Sequence, residues 1–186
     1  MSTTGVIIIA VAVVIVAIAL LWYIQKRRSE RLHAQFGPEY GRTLAEYGDR
    51  RKAESELERR QKRIEKFRIR MIPHEERDRF AEAWRADQAR FVDEPQQAVV
   101  QAHQLVTEVM RARGYPVSSE FEQNAADLSV EHPRVVEHYR LACDIAARQE
   151  SGRASTEDLR NAMVNYRVLF EELLGTPVSQ SEEVRR

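Results

Sequence analysis

The chain has 186 residues, 43% of them hydrophobic, and its formal net charge is zero. This length allows one ordinary domain and a short additional segment. Glycine and proline are few, and alternating runs of β-branched and aromatic residues are absent, which favours helices over a sheet. The single cysteine, Cys143, excludes a domain held together by intrachain disulfides.

The zero net charge hides an uneven distribution. Residues 26–72 contain 15 Lys and Arg against 8 Asp and Glu, whereas residues 73–186 contain 14 against 21. A basic segment followed by an acidic one is typical of a chain that leaves an anionic lipid surface. We therefore expect a bilayer with anionic headgroups to be one partner of this protein.

The first 25 residues are predicted to form a transmembrane anchor. Val6–Ile24 holds nineteen residues without a charged side chain, and a helix of this length matches the hydrocarbon thickness of a bilayer. Aromatic and basic side chains favour the headgroup layer at the end of such a helix. The predicted membrane-interface residues are Trp22, Tyr23, Lys26, Arg27, Arg28 and Arg31.

Positive charge flanks this segment only on its C-terminal side. The positive-inside rule then predicts a single-pass protein of the cell membrane, with the N-terminus outside and the C-terminal domain in the cytoplasm. A cleaved signal peptide is the alternative, because Ala17-Ile18-Ala19 resembles a cleavage site. Against it, the first five residues lack the positive charge that usually begins a signal peptide.

A basic juxtamembrane segment, residues 26–72, is expected to follow the anchor. Gly37-Pro38 should end the first helix, and Asp49 is a candidate N-cap for a second helix that reaches Met71. Apolar residues recur every seven positions along this second helix, which predicts a short coiled coil and a homo-oligomer through residues 49–72. A solvated helix laid on its own domain is the alternative. The residues at this spacing are Leu57, Ile64 and Met71.

Residues 73–175 are predicted to form a compact helical bundle, and residues 176–186 a disordered tail. Pro73, Pro95 and Pro133 each suit the first turn of a helix. A helix with a clear apolar face is predicted between Ser155 and Gly175, because a capping-box pattern marks its start and a glycine marks its end. The predicted fold class is therefore all-α, with one N-terminal transmembrane helix, a charged juxtamembrane helix and the bundle.

The sequence contains no pattern that indicates catalysis. No two of its five histidines lie three or four residues apart, so we expect no metal site. The sequence also lacks a glycine-rich phosphate-binding loop, so we expect no cofactor. Cys143 lies on an apolar helix face and is interpreted as a small buried side chain. We predict a protein that is not an enzyme. The five histidines are His33, His74, His103, His132 and His138.

Two further groups of side chains have alternative interpretations. The basic run Arg59–Arg63 can be a solvated face, a lipid contact or, less favoured, a nucleic-acid contact, since glutamates interrupt it. The aromatic side chains Phe80, Trp84 and Phe91 follow one helix face, where they are either core or, if exposed, candidate partner-binding residues.

Several short strings, spread over residues 27–174, resemble a family of short bacterial proteins, largely actinobacterial, with one N-terminal hydrophobic segment. Members are catalogued as conserved hypothetical or "secreted" proteins. The resemblance implies no activity and no functional residue. Its strings are Phe36-Gly37-Pro38-Glu39-Tyr40, Asp49-Arg50-Arg51, Arg90-Phe91-Val92-Asp93, Gly114-Tyr115-Pro116, Asp127-Leu128-Ser129-Val130-Glu131-His132-Pro133 and Ser155-Thr156-Glu157-Asp158-Leu159-Arg160.

The expected function is a membrane-tethered cytoplasmic adaptor that binds an unidentified protein partner, because tethering raises the effective concentration for partners at the same surface. The alternative is an extracytoplasmic, membrane-anchored binding domain for a small envelope ligand. A small enzyme with a site assembled from dispersed Glu and His side chains is the third hypothesis.

Overall fold

In the computed structural model, the backbone is described for residues 3–175 and the side chains for residues 12–175. This part of the chain contains helices and no strand, which confirms the all-α prediction. The predicted disordered tail, residues 176–186, lies outside the described residues. The helices are α1 (Thr3–Phe36), α2 (Pro38–Tyr47), α3 (Arg50–Ile64), α4 (His74–Arg90), α5 (Pro95–Arg113), α6 (Phe121–Leu128), α7 (Val136–Glu150) and α8 (Thr156–Leu174).

The predicted transmembrane anchor requires a correction. Among the described residues, no helix combines the length and the apolar character needed to cross a membrane. The described apolar run in α1, Ala12–Ile24, spans only about 20 Å before the basic side chains that begin at Lys26. The side chains of residues 6–11, where the predicted span begins, lie outside the described residues. The prediction of a single-pass protein of the cell membrane is therefore contradicted.

By contact density the chain divides into two compact units, Met1–Glu58 and Arg59–Arg186. In the first unit, α1 and α2 meet at Gly37, whose φ of +46° is accessible to glycine at little cost. Asp49 caps α3 as predicted, since its Oδ1 accepts a hydrogen bond from the Lys52 N–H at 2.9 Å.

A polar cluster holds this first unit together. The buried Tyr40 hydroxyl donates to Glu54 Oε1 at 3.0 Å, and Arg50 Nε donates to the same oxygen at 2.9 Å. Arg50 also donates to Ser29 Oγ on α1. Burial raises the pKa of Glu54, but these hydrogen bonds outweigh burial, so the pKa lies below its usual value. The cluster is thus a buried carboxylate satisfied from α1, α2 and α3.

The helix that was predicted to reach Met71 ends at Ile64. The following residues form a turn and then an extended segment, whose Arg70 N–H and Nε donate to the carbonyls of Arg113 and Ala112, both at 2.8 Å. These carbonyls belong to the last turn of α5 and lack intrahelical partners. Tertiary hydrogen bonds therefore replace the helical hydrogen bonds of the last two predicted turns. Met71 is 77% exposed and is not part of a helix, so it does not contribute to a coiled-coil interface.

In the second unit, α8 packs on α5 and α7, while α4 packs on α5 and α6 packs on α7. Trp84 of α4 stacks on Phe170 of α8, with ring centroids 4.7 Å apart. Burial of such apolar faces is the main favourable contribution to folding. These contacts confirm the predicted helical bundle, within a compact unit that begins at Arg59. Its most deeply buried large side chains are Val99, Val106, Val109, Met110, Leu128, Tyr139, Tyr166, Leu169 and Leu173.

The ends of α8 follow the sequence prediction. Ser155 Oγ accepts from the Asp158 N–H at 3.1 Å, and Asp158 Oδ2 accepts from the Ser155 N–H at 2.8 Å, so the capping box forms. Gly175 ends the helix in the left-handed conformation. By contrast, α7 begins at Val136 rather than at Pro133, because residues 132–135 form a turn.

A second polar cluster joins the C-terminal ends of α5 and α8. Arg113 donates to His132 Nε2 at 3.1 Å and to the Leu173 carbonyl at 3.2 Å. Because arginine can only donate, His132 Nε2 is the acceptor, and its Nδ1–H donates to Glu172 at 3.0 Å. Burial lowers the pKa of His132 and favours this neutral imidazole. His132 is thus a structural residue.

Candidate binding pocket

A pocket of about 460 Å³ opens in the second unit between α5, the loop that follows it, α6 and α7. We call it the α5–α7 pocket. Its volume lies within the range of small-molecule sites, which is about 300–1,000 Å³. Polar side chains predominate in its lining. The lining residues are His103, Gln104, Thr107, Glu108, Arg111, Val117, Ser118, Ser119, Phe121, Asn124 and Tyr139.

Helix periodicity and one loop position these side chains. His103, Thr107 and Arg111 recur every four residues and so share one face of α5. The chain then reverses at Gly114, and the Asn124 side chain of α6 fixes the returning loop by accepting from the Ser118 N–H at 2.8 Å and donating to the Ser118 carbonyl at 2.9 Å. The loop therefore closes the pocket over the polar face of α5.

His103 of the pocket lining belongs to a cluster of titratable side chains, whose other members, Cys143 and Tyr166, are buried. His103 Nδ1 lies 3.0 Å from the Tyr166 hydroxyl, and Cys143 Sγ lies 3.8 Å from that hydroxyl and 3.9 Å from His103 Nδ1. No hydrogen bond to a described residue occupies His103 Nε2. Burial lowers the pKa of His103, so the imidazole is neutral at pH 7 and offers Nε2 to a ligand.

Tyr139 lines the same pocket and is itself fully buried. Its hydroxyl has no hydrogen-bond partner of acceptable distance and angle among the described residues, although Cys143 and Asn124 lie near enough to affect its pKa. Burial is the largest cause that raises this pKa, so the hydroxyl stays protonated.

The chemistry that this arrangement supports is binding. Burial raises the pKa of Cys143 to about 11, so the sulfur is a thiol at neutral pH and a poor nucleophile. Cys143 is buried, as the sequence analysis predicted. Among the described residues, no group of three His, Cys, Asp or Glu side chains is placed to hold a metal ion. The lining offers hydrogen-bond donors and acceptors rather than an activated nucleophile.

The first unit contains a larger cleft of about 920 Å³. Several of its charged groups already have partners, since Arg28 pairs with Glu58 at 2.5 Å and Arg50 pairs with Glu54. Lys26 lies over the Trp22 ring, 5.4 Å from its centroid. These charged groups are therefore less available to a ligand.

The candidate partner-binding aromatics do not form an exposed group. Phe80 and Trp84 are each only 5% exposed and belong to the core, in agreement with the first of their two interpretations, while Phe91 is half-buried. Neither Phe80 nor Trp84 is therefore available to a partner on the surface.

The predicted membrane-interface residues lie on α1, where Arg27 Nε donates to the Tyr23 hydroxyl at 2.9 Å and Arg31 is exposed. In the basic run Arg59–Arg63, Arg60 is buried and Arg63 Nε pairs with the buried Asp127 at 2.9 Å. Part of this run is thus internal, which reduces the basic surface for a lipid or nucleic-acid contact.

Sequence reasoning missed most of the pocket. Among its residues only His103 was considered, as an isolated histidine, because its partners Cys143 and Tyr166 are 40 and 63 positions away along the chain. One signal was present: five polar residues of α5, from His103 to Arg111, lie opposite its apolar stripe.

No protein-family model, curated protein or solved structure matches this chain. The resemblance described under the sequence analysis therefore stays a prediction.

Proposed function

We propose that the helical bundle is a non-enzymatic binding module and that the α5–α7 pocket receives a small polar ligand. The observation that carries this proposal is a set of polar groups in the lining that have no partner among the described residues. His103 Nε2 has no hydrogen bond, and Glu108 and Arg111 have no ion pair, with a described residue. A small number of unused polar groups that face one cavity is typical of a small-molecule site.

The energetic argument favours a ligand that fills the pocket. Each hydrogen bond that a ligand completes with a half-buried group such as His103 Nε2 contributes about 0.5–1.5 kcal/mol. The neighbouring loop is held by Asn124, so the pocket exists before binding and no large ordering cost opposes it. A protein-interaction role, expected from the sequence, stays a prediction.

The test records the histidine side-chain NMR signals of the full chain while small probes are added singly: imidazole, acetate, urea, glycine and L-phenylalanine. We expect at least one probe to shift the His103 signals in a saturable manner. His74, whose side chain is 83% exposed, is the internal control and should not shift. If no probe shifts His103 selectively, the proposal is wrong.

A matched pair of variants assigns the effect to the pocket. His103→Phe removes the Nε2 acceptor and keeps a planar ring, so the affinity for that probe, measured by calorimetry, should fall about tenfold, or about 1.4 kcal/mol. His74→Phe makes the same change at an exposed histidine and should leave the affinity unchanged. Equal affinities for the two variants would contradict a role for His103.

A further inference from the structure

Two opposite charges in the lining of the α5–α7 pocket have no ion pair among the described residues. Glu108 and Arg111 are exposed, line the pocket and lie three residues apart on α5. Neither side chain has an ion pair with a described residue. On α8, Glu157 and Arg160 have the same spacing and order and pair at 2.8 Å. A spacing of three residues therefore permits an ion pair, but the Glu108 and Arg111 side chains do not form one.

One wall of the pocket is apolar. Val117, Phe121 and the ring of Tyr139 contribute to its lining, and Phe121 is 39% exposed although it is a large aromatic side chain. Covering such a ring removes apolar surface from water, which contributes about 25 cal/mol for each Å² buried. A ligand that fits this pocket therefore carries an apolar part beside its polar groups.

The two charges restrict the polar part of the ligand. A ligand with a carboxylate alone would be attracted by Arg111 but repelled by the nearby carboxylate of Glu108. A ligand with an ammonium group alone would be attracted by Glu108 but repelled by Arg111. A molecule with both groups satisfies both side chains. The guanidinium of Arg111 donates to a carboxylate, and the carboxylate of Glu108 accepts from an ammonium group.

We infer that the α5–α7 pocket binds a free α-amino acid with an apolar side chain. Arg111 holds its carboxylate, Glu108 holds its ammonium group, and Val117, Phe121 and Tyr139 surround its side chain. His103 Nε2 completes its hydrogen bonds. This inference rests on the proposed function and adds the class of ligand to it.

Isothermal titration calorimetry on the full chain tests the inference with three molecules of similar shape. L-phenylalanine carries both charges, 3-phenylpropanoate lacks the ammonium group and 2-phenylethylamine lacks the carboxylate. We expect L-phenylalanine to bind at least tenfold more tightly than either of the others. Equal affinities, or a preference for a molecule with one charge, would overturn the inference.

Charge-neutralising variants connect each ligand group to its partner. Arg111→Gln should weaken L-phenylalanine binding at least tenfold and abolish its advantage over 2-phenylethylamine. Glu108→Gln should weaken it similarly and abolish its advantage over 3-phenylpropanoate. Arg134→Gln and Glu82→Gln remove the same charges at exposed positions outside the pocket lining and should change neither affinity.

The two proposals fail in different ways. If none of the three molecules binds but another small probe shifts the His103 signals, the amino-acid inference is wrong and the binding module stands. If no probe shifts His103, both are wrong. If L-phenylalanine binds with the expected preference but Arg111→Gln and Glu108→Gln behave like their controls, the assignment of the two charges is wrong.

Discussion

Buried polar side chains in the bundle differ in how many hydrogen bonds they form. Asp127, almost fully buried, accepts from Arg63 and from Gln123, both at 2.9 Å. Asp87 on α4 is also buried, but neither of its carboxylate oxygens has a hydrogen-bond partner among the described residues. Burial raises the pKa of Asp87 to about 6, although the charge of Arg90 opposes this.

This difference leads to a prediction for Asp87→Asn. The folded state binds the Asp87 proton more tightly than the unfolded state, so the neutral carboxyl stabilises the fold at low pH, and this stability is lost as the pH rises through about 6. Asparagine has no proton to lose. We expect Asp87→Asn to raise the free energy of unfolding by about 1 kcal/mol at pH 8 and to have little effect at pH 4.

Urea denaturation at the two pH values measures this difference. Asp93→Asn is the control, because Asp93 is exposed in the turn after α4 and should behave alike at both pH values. A pH-independent effect of Asp87→Asn would contradict the ionisation argument.

At the level of secondary-structure elements, the junction between α5 and the segment that follows α3 depends on one glycine. Gly114 has a φ of +94°, and a Cβ placed there would lie 2.5 Å from the Arg68 carbonyl oxygen. Gly175 at the end of α8 also has a positive φ, +71°, but a Cβ there would meet no atom of the described residues within 4 Å. An alanine at Gly175 would add backbone strain alone, whereas an alanine at Gly114 would add both backbone strain and a steric clash. Comparing the two substitutions therefore distinguishes the two effects.

We predict that Gly114→Ala destabilises the protein by about 2–4 kcal/mol, because strain and the displacement of the Arg68 backbone add. Gly175→Ala, with strain alone, should cost about 1 kcal/mol. Chemical denaturation followed by far-UV circular dichroism measures both. Equal costs for the two substitutions would show that the close approach of Arg68 to Gly114 contributes nothing.

The coiled-coil prediction shows why element boundaries needed the tertiary structure. The seven-residue recurrence of Leu57, Ile64 and Met71 is a property of the sequence, but Leu57 and Ile64 are buried within a single copy of the chain. Arg70 finds backbone acceptors at the end of α5, and these long-range hydrogen bonds compete with the local helix. Local periodicity contains no information about such distant acceptors.

For the whole molecule, the contact between α4 and α8 decides whether Trp84 stabilises the bundle or is available to a partner. Its ring stacks on Phe170, and its indole N–H is buried without a hydrogen-bond partner among the described residues. Trp84→Ala should cost about 3–5 kcal/mol through the cavity that it leaves. Trp84→Phe keeps an aromatic stack and removes the unpaired N–H, so it should cost about 1–2 kcal/mol.

Urea denaturation of the full chain compares these variants with Val164→Ala. Val164 is 56% exposed, so its truncation should cost less than about 0.5 kcal/mol. A cost below 1 kcal/mol for Trp84→Ala would place Trp84 outside the core and restore it as a candidate partner-binding residue.

The sequence by itself determined the helical class, the position of most helices and the ends of α8. Amphipathic periodicity, proline at helix starts and the Ser155–Asp158 capping box act over a few residues, so they can be read locally. Only the tertiary structure decided where α3 ends, which side chains meet at the α5–α7 pocket and which buried groups lack partners. These depend on packing between distant segments, such as His103 against Tyr166, and single-sequence patterns do not contain such pairings.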